Sequence, residues 1–455
     1  MERKPYHARI IRIRDQNPSH QEQMPHTLYY LDYAATAPLD DAVKAYMHEL
    51  LDDDVSVSWG NPSSSHYYGE KSRQLVLEAR MEVATLLNCQ KEEIIFTSCA
   101  TESIHWALVN SALHLREKFR TNPSQASAPG HIITTDQEHP ATLCACHYLQ
   151  EEHGFHVTII PCHYPQICGL QDVLAAVKED TLLCSMMVVC NVNGVFIANE
   201  AICGAMRSRG IRMHIDASQA VGKCHIVVNP PSGSGRIATA APTLYMDCDL
   251  LTFAAHKFGG PRQGVLYVRE GVLLPALLRG GGQERTLRAG TENVLTIAGC
   301  GRACQVVRRQ LDSNWERVMQ LTTDFRQRLE ARIDGEVLVW GGDSPKVPHI
   351  LSLHFAGLEG RHLQLQQRLA ALGICCSNGS ACHSVVATDD AATSPTFQKG
   401  GDMENENEQG RNALQGEALR CSMGTYLSEV QCQQAAEIIS NEVNEMLQES
   451  SGTNS

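Results

Sequence analysis

The sequence of 455 residues contains no run of apolar residues that approaches the ~20 a helix needs to cross a bilayer. It also lacks an excess of positive charge, and its net charge of −13 argues against nucleic acid or an anionic membrane as the main partner. Residues 1–28 contain several arginines but no apolar core. They do not look like a secretory signal, and we expect them to form a disordered tail.

No two cysteines have the CxxC spacing that is typical of a zinc site, and we expect no metal. The 18 cysteines are instead scattered through the chain. This distribution indicates free thiols in a reducing compartment rather than a disulfide framework. We therefore expect a cytoplasmic protein.

Short apolar runs alternate with helical stretches over the first 300 residues. The runs predict strands at 94–96, 132–133, 157–160, 182–189, 211–215, 250–253 and 265–268. The helical spacing of Ile104, Ala107, Leu108, Ala112 and Leu115 predicts an amphipathic helix between two of them. Alternation of this kind predicts an α/β fold with a mostly parallel sheet that is covered on both faces.

The pattern changes after about residue 300. It predicts a long helix at 303–333, a strand at 350–355, a helix at 363–372 and a short strand ending at Cys376. We therefore expect a large domain at 29–300 and a smaller α+β domain at 301–450. Residues 385–412 within it are polar and acidic, which predicts a disordered insert.

Asp216 and Lys257 each follow a predicted strand. Ligands of such sheets bind beyond the carboxyl ends of the strands. A carboxylate and a lysine at these positions are what a pyridoxal phosphate (PLP) enzyme needs, because the amine binds the cofactor aldehyde and the carboxylate keeps the ring nitrogen protonated. Taken alone, however, the two residues favour an ordinary ion pair or two solvated strand ends.

Several other residues allow both a functional and a structural interpretation. Residues 97–102 open a helix and could bind a phosphate, or could be a simple N-cap. His139 could stack on a planar cofactor, and Asn191 could bind the cofactor or a substrate carboxylate, although a structural histidine and a turn asparagine explain them as well. Cys382 has the small-residue surroundings of a reactive thiol, and Arg420 could bind a carboxylate or lie on the surface.

Taken together and in order, segments of the chain resemble the class V aminotransferases, and most closely the cysteine desulfurase and selenocysteine lyase family. The segments are 31–36, 60–64, 96–98, 100–103, 138–139, 216–219, 256–257, 280–285, 290–293 and 381–384. They extend over nearly the whole chain, and their order makes the resemblance specific. The resemblance implies the aspartate aminotransferase-like fold of PLP-dependent transferases, with a large mostly parallel-sheet domain and a smaller α+β domain.

The resemblance also implies a role for each matching residue. Lys257 would bind PLP covalently and transfer a proton, Asp216 would face the ring nitrogen, and Gln219 would face the phenolic oxygen. His139 would stack on the ring. Ala100, Thr101 and His256 would bind the phosphate, and Thr291 would reach the phosphate of a second subunit, which implies a homodimer. Asn191 and Arg420 would bind the substrate carboxylate, and Cys382 would receive the departing sulfur or selenium.

The segment 381–384, Ala-Cys-His-Ser, is more similar to selenocysteine lyases than to desulfurases. We therefore expect a PLP-dependent lyase that converts L-selenocysteine to L-alanine and selenide, with a possible acceptor protein for the product. The alternatives are an L-cysteine desulfurase that forms a persulfide on Cys382, and a non-catalytic relative that acts as a binding partner. The third hypothesis rests on the acidic insert and on Cys99, which replaces a glycine usual in the phosphate loop and would be strained at positive φ.

Overall fold

The computed structural model describes residues 27–52, 58–162, 167–230, 239–379 and 418–452. The predicted tail, apart from Thr27 and Leu28, and the predicted insert at 385–412 lie outside these residues, as does Cys382. No helix in the described ranges is long and apolar enough to span a membrane. In the same ranges, no cluster of His, Cys, Asp and Glu side chains has the arrangement of a metal site.

The described residues form fifteen strands and ten α-helices. The strands are β1 (Tyr29–Tyr30), β2 (Ile94–Thr97), β3 (His131–Thr135), β4 (His156–Ile160), β5 (Thr181–Met187), β6 (Arg212–Asp216), β7 (His225–Val228), β8 (Thr243–Met246), β9 (Leu250–Ala254), β10 (Gly264–Val268), β11 (Val337–Val339), β12 (Ile350–Phe355), β13 (Ile374–Cys375), β14 (Ser377–Asn378) and β15 (Leu419–Ser422). The helices are α1 (Asp41–Asp52), α2 (Tyr67–Leu87), α3 (Ala100–His105), α4 (Ser111–Phe119), α5 (Pro140–His153), α6 (Leu170–Ala175), α7 (Glu200–Ser208), α8 (Val294–Arg332), α9 (His362–Ala371) and α10 (Glu429–Gly452).

A seven-stranded sheet with the order β2-β10-β9-β6-β5-β3-β4 forms the centre of the larger part. Only β10 is antiparallel to its neighbours, β2 and β9, whereas the remaining adjacent pairs are parallel. This is the mostly parallel arrangement that the alternation of strands and helices predicts. It brings the carboxyl ends of β5, β6 and β9 to the same edge of the sheet.

Both faces of this sheet are buried in separate hydrophobic clusters. Ile94 and Phe96 of β2 belong to one cluster, and Ile95 between them belongs to the other. The alternation follows from the two-residue period of a strand, and burial of both faces is the usual state of a parallel sheet. The central strands are therefore rigid supports for the residues that follow them.

The boundaries of several predicted elements differ from the structure, and those of helix α8 and strand β5 differ for reasons that the structure shows. Helix α8 begins at Val294, well before the predicted start at residue 303, because Asn293 caps it by accepting a hydrogen bond from the Thr296 backbone N–H at 3.4 Å. Strand β5 ends at Met187 rather than at 189, since Val189 forms an isolated antiparallel bridge with Phe196. The strand prediction was too long because apolar character indicates burial and does not distinguish a strand from the loop that follows it.

Helix α8 is shared by two hydrophobic cores. Its residues from Val294 to Trp315 pack in the core of the large sheet, whereas those from Val318 to Leu329 pack with a smaller four-stranded sheet of order β11-β12-β15-β14. The N-terminal strand β1 pairs with β13 next to this smaller sheet. The predicted domain boundary at residue 300 falls inside α8, and it stays a prediction.

The contact between α8 and α2 generates a stability prediction. A Cβ atom added to Gly301 would lie 2.4 Å from the Ala79 Cα atom, so G301A should force the two helices apart. We expect a loss of about 1–3 kcal/mol in the free energy of unfolding, measured by urea denaturation. Gly204 in α7 is the matched control, because a Cβ there meets nothing within 4 Å. G204A should stabilise the protein by about 0.4–1 kcal/mol, and an equal effect of both changes would contradict the packing argument.

Candidate active site

A cavity of about 290 Å³ lies where the carboxyl ends of β5, β6 and β9 meet the start of α3. Most of the residues that the sequence predicts to be functional line it. These residues are Ala100, Thr101, His139, Asn191, Asp216, Gln219, His256, Lys257 and Arg420. Residues far apart in the chain therefore share one cleft, as the fold rule for ligand sites in such sheets predicts.

Asp216 is the last residue of β6 and is 5% exposed. Its Oδ1 atom accepts a hydrogen bond from the Ser218 backbone N–H at 2.9 Å. Lys257 ends the short helical turn after β9, and its amine donates to the carbonyl oxygens of Ala34 at 2.9 Å and Ala35 at 2.8 Å. The carboxylate and the amine thus enter the same cavity from neighbouring strands, with the amine held by the backbone of an N-terminal loop.

The start of α3 lines one end of the cavity. Its N-cap residue, Cys99, makes no side-chain capping hydrogen bond, so the first N–H groups of the helix are available to a ligand. Cys99 has φ −162°, which is extended backbone. The strain expected if this residue had positive φ is therefore absent, and a cysteine fits in place of glycine.

Glu102 holds the loop before α3 in place. It accepts hydrogen bonds from the Ser98 backbone N–H at 2.8 Å and from the guanidinium of Arg288 at 2.8 Å. Partial burial opposes ionisation of this carboxyl, but the hydrogen bonds from Arg288 and Ser98 outweigh it and lower its pKa. Through Ser98 and Arg288, the ionised Glu102 therefore links the loop before α3 to the segment that contains Thr291.

His139 caps α5, and its Nδ1 atom accepts a hydrogen bond from the Ala141 backbone N–H at 3.1 Å. The neutral ring must then carry its proton on Nε2. His256, which precedes Lys257, has its pKa lowered to about 4 by burial and by the charge of Lys257. His256 is therefore neutral at physiological pH and can act as a hydrogen-bond donor without adding charge to the cavity.

Glu138, next to His139, is a buried carboxyl that sequence reasoning treated only as part of a motif. Its Oε1 atom accepts hydrogen bonds from the Thr135 hydroxyl at 2.8 Å and the Met187 backbone N–H at 2.9 Å. Its Oε2 atom has no partner among the described residues. Burial raises the pKa of Glu138 to about 8, so it is mostly protonated at neutral pH and adds little negative charge near Asp216.

Arg420 in β15 is 1% exposed, which excludes the surface interpretation. Its guanidinium donates to the Asn191 carbonyl and the Asp32 Oδ1 atom, both at 2.8 Å, and to the Ser377 hydroxyl at 3.2 Å. Its Nε atom has no partner within the described part of the chain. Asp32 and Ser377 were missed as supports of the site, because only the folded chain brings them to Arg420.

One predicted residue that the structure describes, Thr291, does not line this cavity. Thr291 lines a separate polar cavity of about 270 Å³ together with Ser98, Gln263 and Asn293. Its predicted contact is with a second subunit, so its role stays a prediction. Cys382 lies outside the described residues.

The chain matches the model of the family described as aminotransferase class V over residues 29–434. It is 36% identical to the cysteine desulfurase IscS of Dictyoglomus turgidum over 356 residues, which is 78% of this chain and 82% of that relative. Among solved structures, a NifS-like protein is 28% identical with a TM-score of 0.74, covering 93% of this chain and 100% of the other. SspA in complex with cysteine is 26% identical with a TM-score of 0.66, covering 88% and 100%.

The chain therefore belongs to the class V aminotransferase family, among relatives that are cysteine desulfurases. The predicted fold class is confirmed, as is the prediction of a PLP-dependent enzyme. The hypothesis of a non-catalytic binding partner is not supported. The cavity fits PLP, because it combines an uncapped helix start with a buried carboxylate and a lysine amine. In addition, the buried hydroxyl of Ser218 on its wall has no partner among the described residues and could bind a ligand.

The raised pKa of Glu138 predicts how stability depends on pH. An unfolded glutamate releases its proton near pH ~4.3, whereas the folded one retains it up to about 8. The native state therefore binds more protons in this interval, and the contribution of Glu138 to stability falls as pH rises. We expect E138Q, which keeps the acceptor oxygen, to gain roughly 1–3 kcal/mol over the wild type between about pH 5 and pH 8. Chemical denaturation at both pH values would test this, and a constant difference would contradict it.

Proposed function

We propose that the protein is a PLP-dependent cysteine desulfurase, which converts L-cysteine to L-alanine and transfers the sulfur to a cysteine of its own. The convergence of Asp216, Lys257 and Arg420 on one cavity carries the proposal, because it combines a cofactor site with a carboxylate-binding group. The similarity to cysteine desulfurase IscS and to SspA in complex with cysteine supports cysteine as the substrate. It favours this activity over the selenocysteine lyase activity that the segment 381–384 indicates.

Bound PLP supplies an aldehyde for attachment of the substrate amine and a ring that accepts electrons. The carboxylate of Asp216 would hold a proton on the ring nitrogen, and Gln219 would donate to the phenolic oxygen. His139 would cover one face of the ring. The backbone of Ala100 and Thr101, with the neutral His256, would hold the phosphate at the start of α3.

Lys257 would both attach the cofactor and move protons. Its amine donates to the carbonyls of Ala34 and Ala35, and these contacts would hold the free amine in the cavity, next to the substrate. A lysine held there can take a proton from the substrate Cα atom and return one to the product. The neighbouring neutral His256 adds no positive charge that would compete for the substrate carboxylate.

Arg420 and Asn191 would bind the substrate carboxylate. The Arg420 side chain is already oriented by Asp32, Ser377 and the Asn191 carbonyl, so little rotamer freedom remains to be lost on binding. A guanidinium is suited to a carboxylate because it presents donors in a planar fork. Asn191 lines the same cavity and can supply a further polar contact.

Cys382 would accept the sulfur. Its thiolate attacks the sulfur of cysteine, the bond between that sulfur and the substrate β-carbon breaks, and the electron pair remains with the carbon, which takes a proton. The products are L-alanine and a persulfide on Cys382, so no external oxidant or reductant is needed for this half of the reaction. A second protein or a small thiol would then remove the sulfur.

L-Selenocysteine is the second candidate substrate, and the resemblance of Ala381-Cys382-His383-Ser384 to selenocysteine lyases favours it. Release of selenide requires reducing equivalents, which a thiol would supply. Thr291 would complete the phosphate site of a second subunit, so the active form would be a homodimer. Its position in a polar cavity apart from Lys257 is compatible with that role.

Steady-state assays with both amino acids and a thiol reductant test this function. We expect turnover of L-cysteine at a rate comparable to that of L-selenocysteine, together with a visible absorption band of bound cofactor. C382S should reduce cysteine turnover about 100-fold or more, because no thiol remains to accept the sulfur. C144S, which changes an exposed cysteine in α5, is the control and should retain full activity.

Two outcomes would count against this assignment. Turnover of selenocysteine with negligible turnover of cysteine would establish the second candidate. Full cysteine turnover by C382S would show that the sulfur acceptor is another group.

Replacement of Arg420 by lysine tests the carboxylate site. R420K keeps the positive charge but loses the fork, so KM for cysteine should rise roughly 10–100-fold with a smaller change in kcat. R361K is the control, because Arg361 forms an ion pair with Glu449 at 2.9 Å and does not line the cavity. An unchanged KM for R420K would show that Arg420 does not bind the substrate carboxylate.

A further inference from the structure

A second lysine, Lys223, is buried beside the proposed cofactor site, and the resemblance assigns it no role. It is 5% exposed and follows Gly222, which has a φ of +82°. Its amine donates to the Gln219 Oε1 atom at 2.9 Å. Burial of a lysine amine is costly, and sequences rarely place one where an apolar residue would serve.

The hydrogen bond from Lys223 helps to orient the Gln219 amide. The Lys223 amine is the donor, and an amide accepts hydrogen bonds through its oxygen, so the amine meets the oxygen of the amide and not its nitrogen. The Gln219 NH2 group is consequently turned the other way, where it donates to the Ala34 carbonyl at 2.8 Å. Without Lys223, the Ala34 carbonyl, which the Lys257 amine also contacts, would be left to hold the amide in this orientation.

The same Ala34 carbonyl also accepts a hydrogen bond from the Lys257 amine at 2.9 Å. Lys223, Gln219, Ala34 and Lys257 therefore form one connected set of hydrogen bonds. Burial, together with the positive charge of Lys257, lowers the pKa of Lys223 to about 7. Both lysines also line a small cavity of about 70 Å³ behind the proposed active site, next to the buried His349.

We propose that Lys223 is a positioning residue, which holds Gln219 with its amide NH2 group directed to the cofactor side of the cavity. This inference rests on the proposed function, in which Gln219 donates to the phenolic oxygen of PLP. Lys223 itself would touch neither cofactor nor substrate. Lys223 would affect the cofactor only by orienting Gln219, so its effect should disappear when the Gln219 amide is removed.

A double-mutant cycle on the PLP-loaded protein tests the inference. K223M replaces the amine by an apolar group of similar length, and Q219L removes the amide through which Lys223 would act. We expect K223M in the wild-type background to shift the visible absorption band of bound PLP and to speed PLP dissociation about 10-fold, the equivalent of one hydrogen bond. In the Q219L background, K223M should change neither quantity by more than about twofold, because coupled residues are not additive.

Two further variants separate positioning from folding. K223Q can still donate to Gln219 and should restore much of the wild-type spectrum, and it replaces K223M if that variant fails to fold. K346M is the matched control, because Lys346 is a partly buried lysine whose amine has no partner among the described residues and does not line either cavity. It should leave the spectrum and the PLP dissociation rate unchanged.

Equal effects of K223M in the two backgrounds would overturn the positioning role, as would a normal spectrum and dissociation rate for K223M. A wild-type protein that binds no PLP would instead refute the proposed function itself. The two failures are thus distinguishable by the spectrum of the unmodified protein.

Discussion

The buried guanidinium of Arg420 is the interaction on which the arrangement of the site depends. It contacts Asp32 before the large sheet, the Asn191 carbonyl beyond β5, and Ser377 in the smaller sheet. Removal of one partner from such a buried charge is strongly unfavourable, so the charge favours a fold in which these three segments meet. The cavity wall is therefore built by the same contacts that join the two sheets.

Control of charge is a second theme of the cavity. The Lys257 amine donates hydrogen bonds to two carbonyl oxygens. Burial and the positive charge of Lys257 lower the pKa of His256, which is therefore neutral. Glu138 is mostly protonated at neutral pH because it is buried. Asp216 lies on the wall of the same cavity, where the proposed function needs a carboxylate. Burial thus reduces the charge that His256 and Glu138 bring to this site.

Much of the site was predictable from the sequence, because its reactive side chains directly follow apolar runs that are recognisable as strands. Asp216 and Lys257 directly follow apolar runs, so their place at one edge of a parallel sheet was predictable. The contributions of Asp32, Ser377 and Lys223 were not, since nothing near them in the chain indicates their partners. The role predicted for Thr291 involves a second subunit, and it stays a prediction.

The amino-acid sequence by itself determined the period-two and helical patterns, and hence the layered fold with polar residues at its strand ends. Only the tertiary structure decided that Arg420 is buried rather than exposed, that α8 belongs to two cores, and that Lys223 orients Gln219. The physical reason is the separation along the chain between the residues that interact. Strand and helix patterns arise from neighbours a few residues apart, whereas burial, pKa and side-chain orientation depend on groups that meet only when distant segments pack together.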